Sequence, residues 1–256
     1  MGYLGGIFRG ALALKLPIRF NPCDLRRDLE SIAPKLWRLH PAEYTDGYYE
    51  AVSLLSPWGR PQNIVYRIRQ DNPFVPTSVY RRCPHLRSAI EMFTGRKYRA
   101  RLVKLRAGGC ILPHRDKGIV AGKEILRIHI PIITNPGVYI LVDRYRVMMQ
   151  PGESWCINIT RPHEVYNLGD ADRTHLVVDM EPDAATAKLL RTSELIMPKG
   201  RSLTTGDISR RYLAGRKTVD LSSASLSSHA RRLRTAAYLL KRLLDSGHGK
   251  HATRLP

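Results

Sequence analysis

The chain has 256 residues, 43% of them hydrophobic and 25% charged, which is enough for one sizeable folded domain with appendages and too apolar for a disordered polymer. Its net charge of +20 attracts nucleic acid, anionic membrane or acidic ligands without selecting among them, and half of the excess lies in 199–256, where thirteen Lys/Arg face three Asp. The four cysteines (Cys23, Cys83, Cys110, Cys156) form no C-x-x-C pair, which excludes a zinc knuckle or a disulfide framework and suits free thiols in a reducing cytoplasm.

Residues 1–15 are rich in Gly, Ala and Leu, but Arg9 and Lys15 interrupt them, so the stretch is too short and too charged to cross a bilayer. It has no small-x-small cleavage site, and Gly6 stands where a myristoylation signal wants Ser or Thr. A leader segment that packs on the domain or frays is expected there. Asn21-Pro22 reads as an N-cap followed by proline at the first helical position, and Leu25, Leu29, Ile32 and Leu36 continue one amphipathic helix that ends before Pro41. From 46 to 69 the texture becomes β-like, with 51–55 and 64–68 separated by a turn at Pro57-Trp58-Gly59. Pro84 to Phe93 reads as a second helix stopped by Gly95.

Strands follow: 98–105, 125–133, 138–142, 155–159 and 175–180, with turns at Gly108-Gly109, Asn135-Pro136-Gly137, Pro151-Gly152 and 167–170. The connections are too short for crossover helices, so the expected fold class is mainly β, a sandwich or jelly roll with flanking N-terminal helices. Beyond Pro182 the strands are expected to stop. A helix over 184–195, a polar linker over 199–220 and a coiled-coil-like stripe (Leu226, Ala230, Leu233, Ala237, Leu240, Leu244) make a basic, partly helical C-terminal extension. The division expected is 1–15 leader, 16–182 domain with its core motifs in 98–180, and 183–256 extension.

The chemistry centres on Pro113-His114-Arg115-Asp116. Residues at i and i+2 of an extended segment point to one face, so His114 and Asp116 can grip one metal, and His163 would meet them from a later strand. Two imidazoles and one carboxylate suit non-haem Fe(II) and leave adjacent coordination positions open. Arg173, ten residues past His163, offers the two-pronged guanidinium that a dicarboxylate co-substrate needs. Alternation brings Arg127 and His129 to one strand face and Arg173 and His175 to another, and so many cations in a sheet interior need an anionic ligand to answer them. Arg127 and His175 read equally as supporting or substrate contacts. Arg81, Arg82, Arg127 and Arg161 favour an anionic substrate, and Tyr48 or Tyr49 could line its entrance, although tyrosines at a strand edge more often pack.

Here the order of motifs becomes specific. Pro-His-Arg-Asp (113–116), Arg-Ile-His-Ile-Pro-Ile-Ile-Thr-Asn-Pro (127–136), Pro-Gly-Glu-Ser-Trp (151–155), Pro-His-Glu-Val-Tyr-Asn-Leu-Gly (162–169) and Arg-Thr-His-Leu-Val-Val-Asp (173–179) together resemble the aspartyl/asparaginyl β-hydroxylase family. The resemblance covers about 103–179. It implies a double-stranded β-helix (jelly-roll) core, an Fe(II)- and 2-oxoglutarate-dependent dioxygenase that uses O2, His114 and His163 as iron ligands, and His129 and Arg173 as 2-oxoglutarate contacts. Some members of the family lack a carboxylate ligand; here Asp116 completes a triad. The substrate expected is an amino acid, a peptidyl Asp/Asn-type side chain or another anionic molecule. The rival is a non-catalytic jelly-roll binding module whose basic tail holds nucleic acid or anionic membrane. A zinc-holding, non-redox enzyme of similar shape is a third reading. The tail reads as a solvated helix docking on its own core or on the partner of a homodimer.

Overall fold

The structure is a computed structural model and describes residues 3–65, 74–116, 119–120, 123–200, 202–204, 207–208, 210–211 and 233–240. In chain order, helix α1 (Tyr3–Phe8) leads into strand β1 (Ala13–Arg19), helix α2 (Pro22–Glu30), a 3₁₀ turn and strands β2 (Arg38–Leu39), β3 (Tyr49–Pro57) and β4 (Phe74–Pro76). Helices α3 (Ser78–Arg82) and α4 (Pro84–Glu91) precede β5 (Arg96–Leu105) and β6 (Cys110–His114). A small ribbon, β7 (Ile119–Val120) and β8 (Lys123–Glu124), is followed by β9 (Leu126–Ile133), β10 (Val138–Val142) and β11 (Tyr145–Val147). Strands β12 (Glu153–Ile157), β13 (His163–Asn167) and β14 (Arg173–Glu181), helix α5 (Ala184–Arg191) and strand β15 (Glu194–Ile196) complete the series.

The protein is mainly β, and its strands form two principal antiparallel sheets. The larger runs β15-β1-β12-β9-β14-β5-β3-β2 with β4 beside β3; the smaller runs β11-β10-β13-β6. Period-two alternation gives the larger sheet two different faces. On β9 and β14, Ile128, Ile130, Leu176 and Val178 join Leu25 and Leu29 of α2 and Leu86 and Ile90 of α4 in one buried cluster. The opposite face carries Arg127, His129, Arg173 and Val177 into a cavity shared with the smaller sheet. Trp155 and Ile157 of β12 pack there against Ile140 and Val142 of β10 and Val165 of β13, so the two sheets lie face to face.

Several sequence expectations change in the folded chain. Residues 1–15 are not a separable leader: Leu12 to Leu14 are fully buried, and β1 is paired on both sides, by β12 and by β15. Pro17 is tolerated because β15 pairs only with Ala13 to Lys15 and the ladder to β12 is irregular between Leu16 and Arg19. The Asn21 side chain caps α2 as expected, accepting from the Cys23 N–H at 3.0 Å. The helix stops at Glu30 instead of continuing to Leu36, because Pro34 denies the helix a donor and biases Ala33 to extended backbone. Beyond Pro182, α5 and the edge strand β15 belong to the larger sheet's layer, so the 182/183 boundary does not coincide with the end of the packed structure.

The expected strand over 64–68 lies largely outside the described residues, as does most of the 199–220 linker and of the C-terminal stripe. Residues 233–240 are helical, but the buried side is Thr235 and Leu239, while Leu233 and Leu240 are exposed. Leu239 and Ile208 cover the outer face of the smaller sheet at Cys110, Leu141 and Tyr166. Of the expected stripe only 233–240 is described, and that apolar surface decides the face it presents.

One contact fastens the helical layer. The N-cap residue of α4, Cys83, provides no side-chain cap, and the buried Asp28 carboxylate of α2 accepts the His85 and Leu86 N–H groups at 2.7 and 2.9 Å instead. Asp28→Ala leaves both donors without a partner and is expected to destabilise the fold by about 2–4 kcal/mol, read by urea unfolding. Asp28→Asn restores one acceptor and recovers part of the loss.

Candidate active site

His114 closes β6 and His163 opens β13, and the antiparallel register places them directly opposite each other. Their rings are 4.2 Å apart between centroids. Each Nδ1 faces a backbone carbonyl, Leu112 O at 2.8 Å for His114 and Arg161 O at 3.0 Å for His163. A carbonyl only accepts, so each Nδ1 carries the proton and each Nε2 keeps a free lone pair. Burial lowers both imidazole pKa values, that of His163 to about 4 with the adjacent His114 adding to the effect, so both rings are neutral near pH 7.

Asp116 enters from the loop after β6, its N–H donating to Ile159 O at 3.0 Å. One potential ligand atom from each of His114, Asp116 and His163 falls within 4.8 Å of the others. Burial by itself would raise the Asp116 pKa, but the Arg127 guanidinium, with His163 and His114, brings it below the ordinary carboxylate value. Tyr44 stacks on His114 with centroids 4.1 Å apart, holding the ring's plane. Neutral imidazole nitrogens from two neighbouring strands of the smaller sheet and an ionised carboxylate from the loop after β6 converge in a donor set that suits a divalent metal.

The cavity in front of this cluster has a volume of about 360 Å³. Isoleucines 111, 140, 157 and 159 and Val165 form its apolar side, while Arg99, Arg101, Arg127, His129 and Arg173 reach it from the larger sheet. Arg173 is 2% exposed and carries no carboxylate partner among the described residues; one guanidinium nitrogen donates to His175 Nδ1 at 2.8 Å, and Nε has no partner. Burial lowers the Arg173 pKa to about 10. His129 Nδ1 and His175 Nε2 are likewise buried without partners, and burial holds both rings well below the usual histidine range. Orphaned donors around an unneutralised guanidinium fit the far carboxylate of a dicarboxylate ligand.

The four polar residues that alternation brought forward therefore divide. Arg173 and His129 face the cavity, and His175 stands behind Arg173 as its acceptor without lining the space. Arg127 lines it, yet its guanidinium is already taken: Nε donates to Asp179 Oδ1 at 2.7 Å, and a terminal nitrogen contacts Asp116. Its place is to orient Asp116. Asp179, 1% exposed and held by Arg127 and Arg99 far below the ordinary carboxylate pKa despite burial, anchors that arrangement.

Of the other basic residues expected near a substrate, Arg161 pairs with Asp143, and Arg81 binds Pro76 O from α3, away from the cavity. Neither they nor Arg82 line the cavity. Tyr49 lines it and Tyr48 does not. Sequence reasoning missed Tyr44, Arg99 and Arg101. The signal for the two arginines was the basic/apolar alternation of 98–105, which marks a face without saying what it faces. Cys110 and Cys156 are buried among apolar side chains and do not line the cavity.

The aspartyl/asparaginyl β-hydroxylase family model matches residues 42–182. L-proline cis-3-hydroxylase 1 of Streptomyces sp is 25% identical over 167 residues, covering 63% of this chain and 57% of that protein. L-proline cis-3-hydroxylase 2 of Streptomyces sp is 23% identical over 145 residues, covering 55% and 50%. The chain thus spans just over half the length of the curated relatives it matches. Among solved structures, the non-haem α-ketoglutarate-dependent carbocyclase SnoK from nogalamycin biosynthesis aligns with a TM-score of 0.46 at 13% identity, over 78% of this chain and 94% of that one. HygX from Streptomyces hygroscopicus, with nickel and 2-oxoglutarate bound, aligns with a TM-score of 0.43 at 13% identity, over 78% and 97%. The family match takes in more than half of the 256 residues, including His114, Asp116, His129, His163 and Arg173, and the chain belongs to the aspartyl/asparaginyl β-hydroxylase family.

Proposed function

We propose that the protein is an Fe(II)- and 2-oxoglutarate-dependent dioxygenase that hydroxylates an unactivated C–H bond of an amino acid or a related anionic small molecule. The observation that carries this reading is the coexistence, in one cavity, of the three converging ligand atoms and a buried arginine with no carboxylate partner among the described residues. On this reading the facing sheets are a double-stranded β-helix, residues from β1 to β15 form the oxygenase unit, and the basic C-terminal extension braces the smaller sheet. Among the described residues no helix is long and apolar enough to cross a membrane. The four cysteines are free thiols, which fits work in the cytoplasm.

When bound, ferrous iron with 2-oxoglutarate and O2 supplies the oxidising power that inserts a hydroxyl group, 2-oxoglutarate being converted to succinate and CO2. The protein's part is placement. His114 and His163 present neutral Nε2 lone pairs, and Arg127 keeps Asp116 ionised and turned toward them. Arg173 neutralises the far carboxylate of the co-substrate, with His129 as a second polar contact. The isoleucine wall excludes water from the space where the substrate's C–H bond must lie. An amino-acid substrate is favoured by the curated relatives, which are named as proline hydroxylases.

The test is succinate formation by the iron-loaded full chain, screened over free amino acids, peptides and acyl substrates. Turnover that requires both Fe(II) and 2-oxoglutarate supports the reading. Salt-sensitive nucleic-acid binding without any turnover, or tight zinc after anaerobic purification with no succinate formed, would overturn it.

A further inference from the structure

One buried cation has no role in the oxygenase reading. Arg101 on β5 is 6% exposed and lines the cavity. A terminal guanidinium nitrogen donates to Ile64 O at 2.9 Å, and Nε is buried without a partner. Among the described residues no carboxylate lies within ion-pair distance of it. Its neighbours differ in this respect, because Arg99 and Arg127 share Asp179 and Arg127 also contacts Asp116.

Four guanidiniums (Arg99, Arg101, Arg127, Arg173) therefore face two carboxylates on this wall, an excess of two positive charges. A divalent ion and a dianionic co-substrate cancel each other, so the excess survives loading of the site. With Arg173 answered by the far carboxylate of the co-substrate and Asp116 facing the metal, the surviving charge lies on Arg99 and Arg127, which share Asp179, and on Arg101, which has no carboxylate of its own among the described residues. The sheet keeps Arg101 and Arg173 apart. Arg101 pairs with Val177, whereas Arg173 pairs with Leu105, four residues further along β5, a separation of roughly 13 Å at about 3.3 Å per residue. Each root position is thus suited to its own anion.

A buried arginine without an anion is strongly unfavourable, and an apolar side chain at 101 would fill the same volume at no such cost. Burial lowers the Arg101 pKa, with the adjacent Arg99 adding to this and Tyr49 and the more distant Asp179 acting against it. A cavity of about 360 Å³ has room for a co-substrate and a small molecule.

Resting on the oxygenase reading, we propose that Arg101 determines substrate specificity by receiving the carboxylate of a small substrate, which fixes its C–H bond in front of the His114–Asp116–His163 cluster. The expected substrates are amino acids or similar carboxylates, and the corresponding carboxamides are discriminated against because they cannot neutralise the guanidinium.

The experiment is calorimetric titration of the full chain loaded with Ni(II) and 2-oxoglutarate, using the twenty L-amino acids, their N-acetyl forms and the matching carboxamides. At least one carboxylate should bind wild type at least ~30-fold tighter than its amide, since a charged pair contributes about 2 kcal/mol or more. The N-acetyl series tells a free amino acid from a peptide C-terminus. In Arg101→Gln this preference should vanish, and in Arg101→Lys, which keeps the charge but loses the fork, it should fall in part. A purely structural Arg101 would weaken acid and amide alike. Melting followed by circular dichroism checks the fold, and should Arg101→Gln not fold, the acid-to-amide ratio of Arg101→Lys decides between the two roles. No binding of any carboxylate, or a carboxylate preference that persists in the folded variant, overturns the proposal. Failure of wild type to bind 2-oxoglutarate would instead sink the oxygenase reading itself.

Discussion

His163→Ala and His114→Ala are each expected to abolish succinate formation and to weaken metal binding by well over ~100-fold. That floor follows from a comparison: residues that only support metal ligands commonly cost 10–100-fold when removed, so a ligand must cost more. Neither ring is tied into the fold through Nε2; each makes one hydrogen bond, through Nδ1 to a carbonyl of its own segment. The loss should therefore be chemical rather than structural, leaving the melting temperature of the metal-free protein within a few degrees of wild type. Titration with Ni(II) and an assay with saturating 2-oxoglutarate read the two effects separately. Undiminished metal affinity in either variant would remove that histidine from the ligand set.

Arg173→Leu should weaken 2-oxoglutarate binding by ~100-fold or more, because two charge-assisted hydrogen bonds, each about 1.5–3 kcal/mol, are lost together. Its effect on the unloaded fold should run the other way. Arg173 is among the largest fully buried side chains, has no carboxylate partner among the described residues and leaves Nε without an acceptor. Leucine relieves that buried charge while freeing His175 Nδ1, so the melting temperature should hold or rise. Arg173→Lys keeps the charge without the two-pronged geometry and should lie between. A variant that melts far below wild type yet binds 2-oxoglutarate normally would mean that the arginine serves the fold instead.

These results depend on features that were unequally visible before folding. The N-cap at Asn21, the turns at Pro151-Gly152 and Asn135-Pro136-Gly137 and the alternation of 126–133 are local, so adjacent residues decide them. The spacing of His114 and Asp116 is local in the same sense, and motif order supplied the partner His163. The extent of α2 was overestimated because an apolar rhythm outlasted the helix that Pro34 ends. Residues 11–15 looked like part of a leader because a buried strand that needs partners from 153–157 and 194–196 has no local sign of them.

By itself the sequence determined most of the extended segments between 98 and 180, which of their faces alternate, and that two imidazoles, a carboxylate and an arginine recur in a meaningful order. Only the tertiary structure decided which cations are answered. Asp179 meets Arg127 from 52 residues away and Arg99 from 80, while Arg101, two residues from Arg99, meets no carboxylate among the described residues. The physical reason is that strand conformation is set by neighbouring backbone sterics, whereas charge neutralisation in a sheet interior is set by the register of strands distant in the chain.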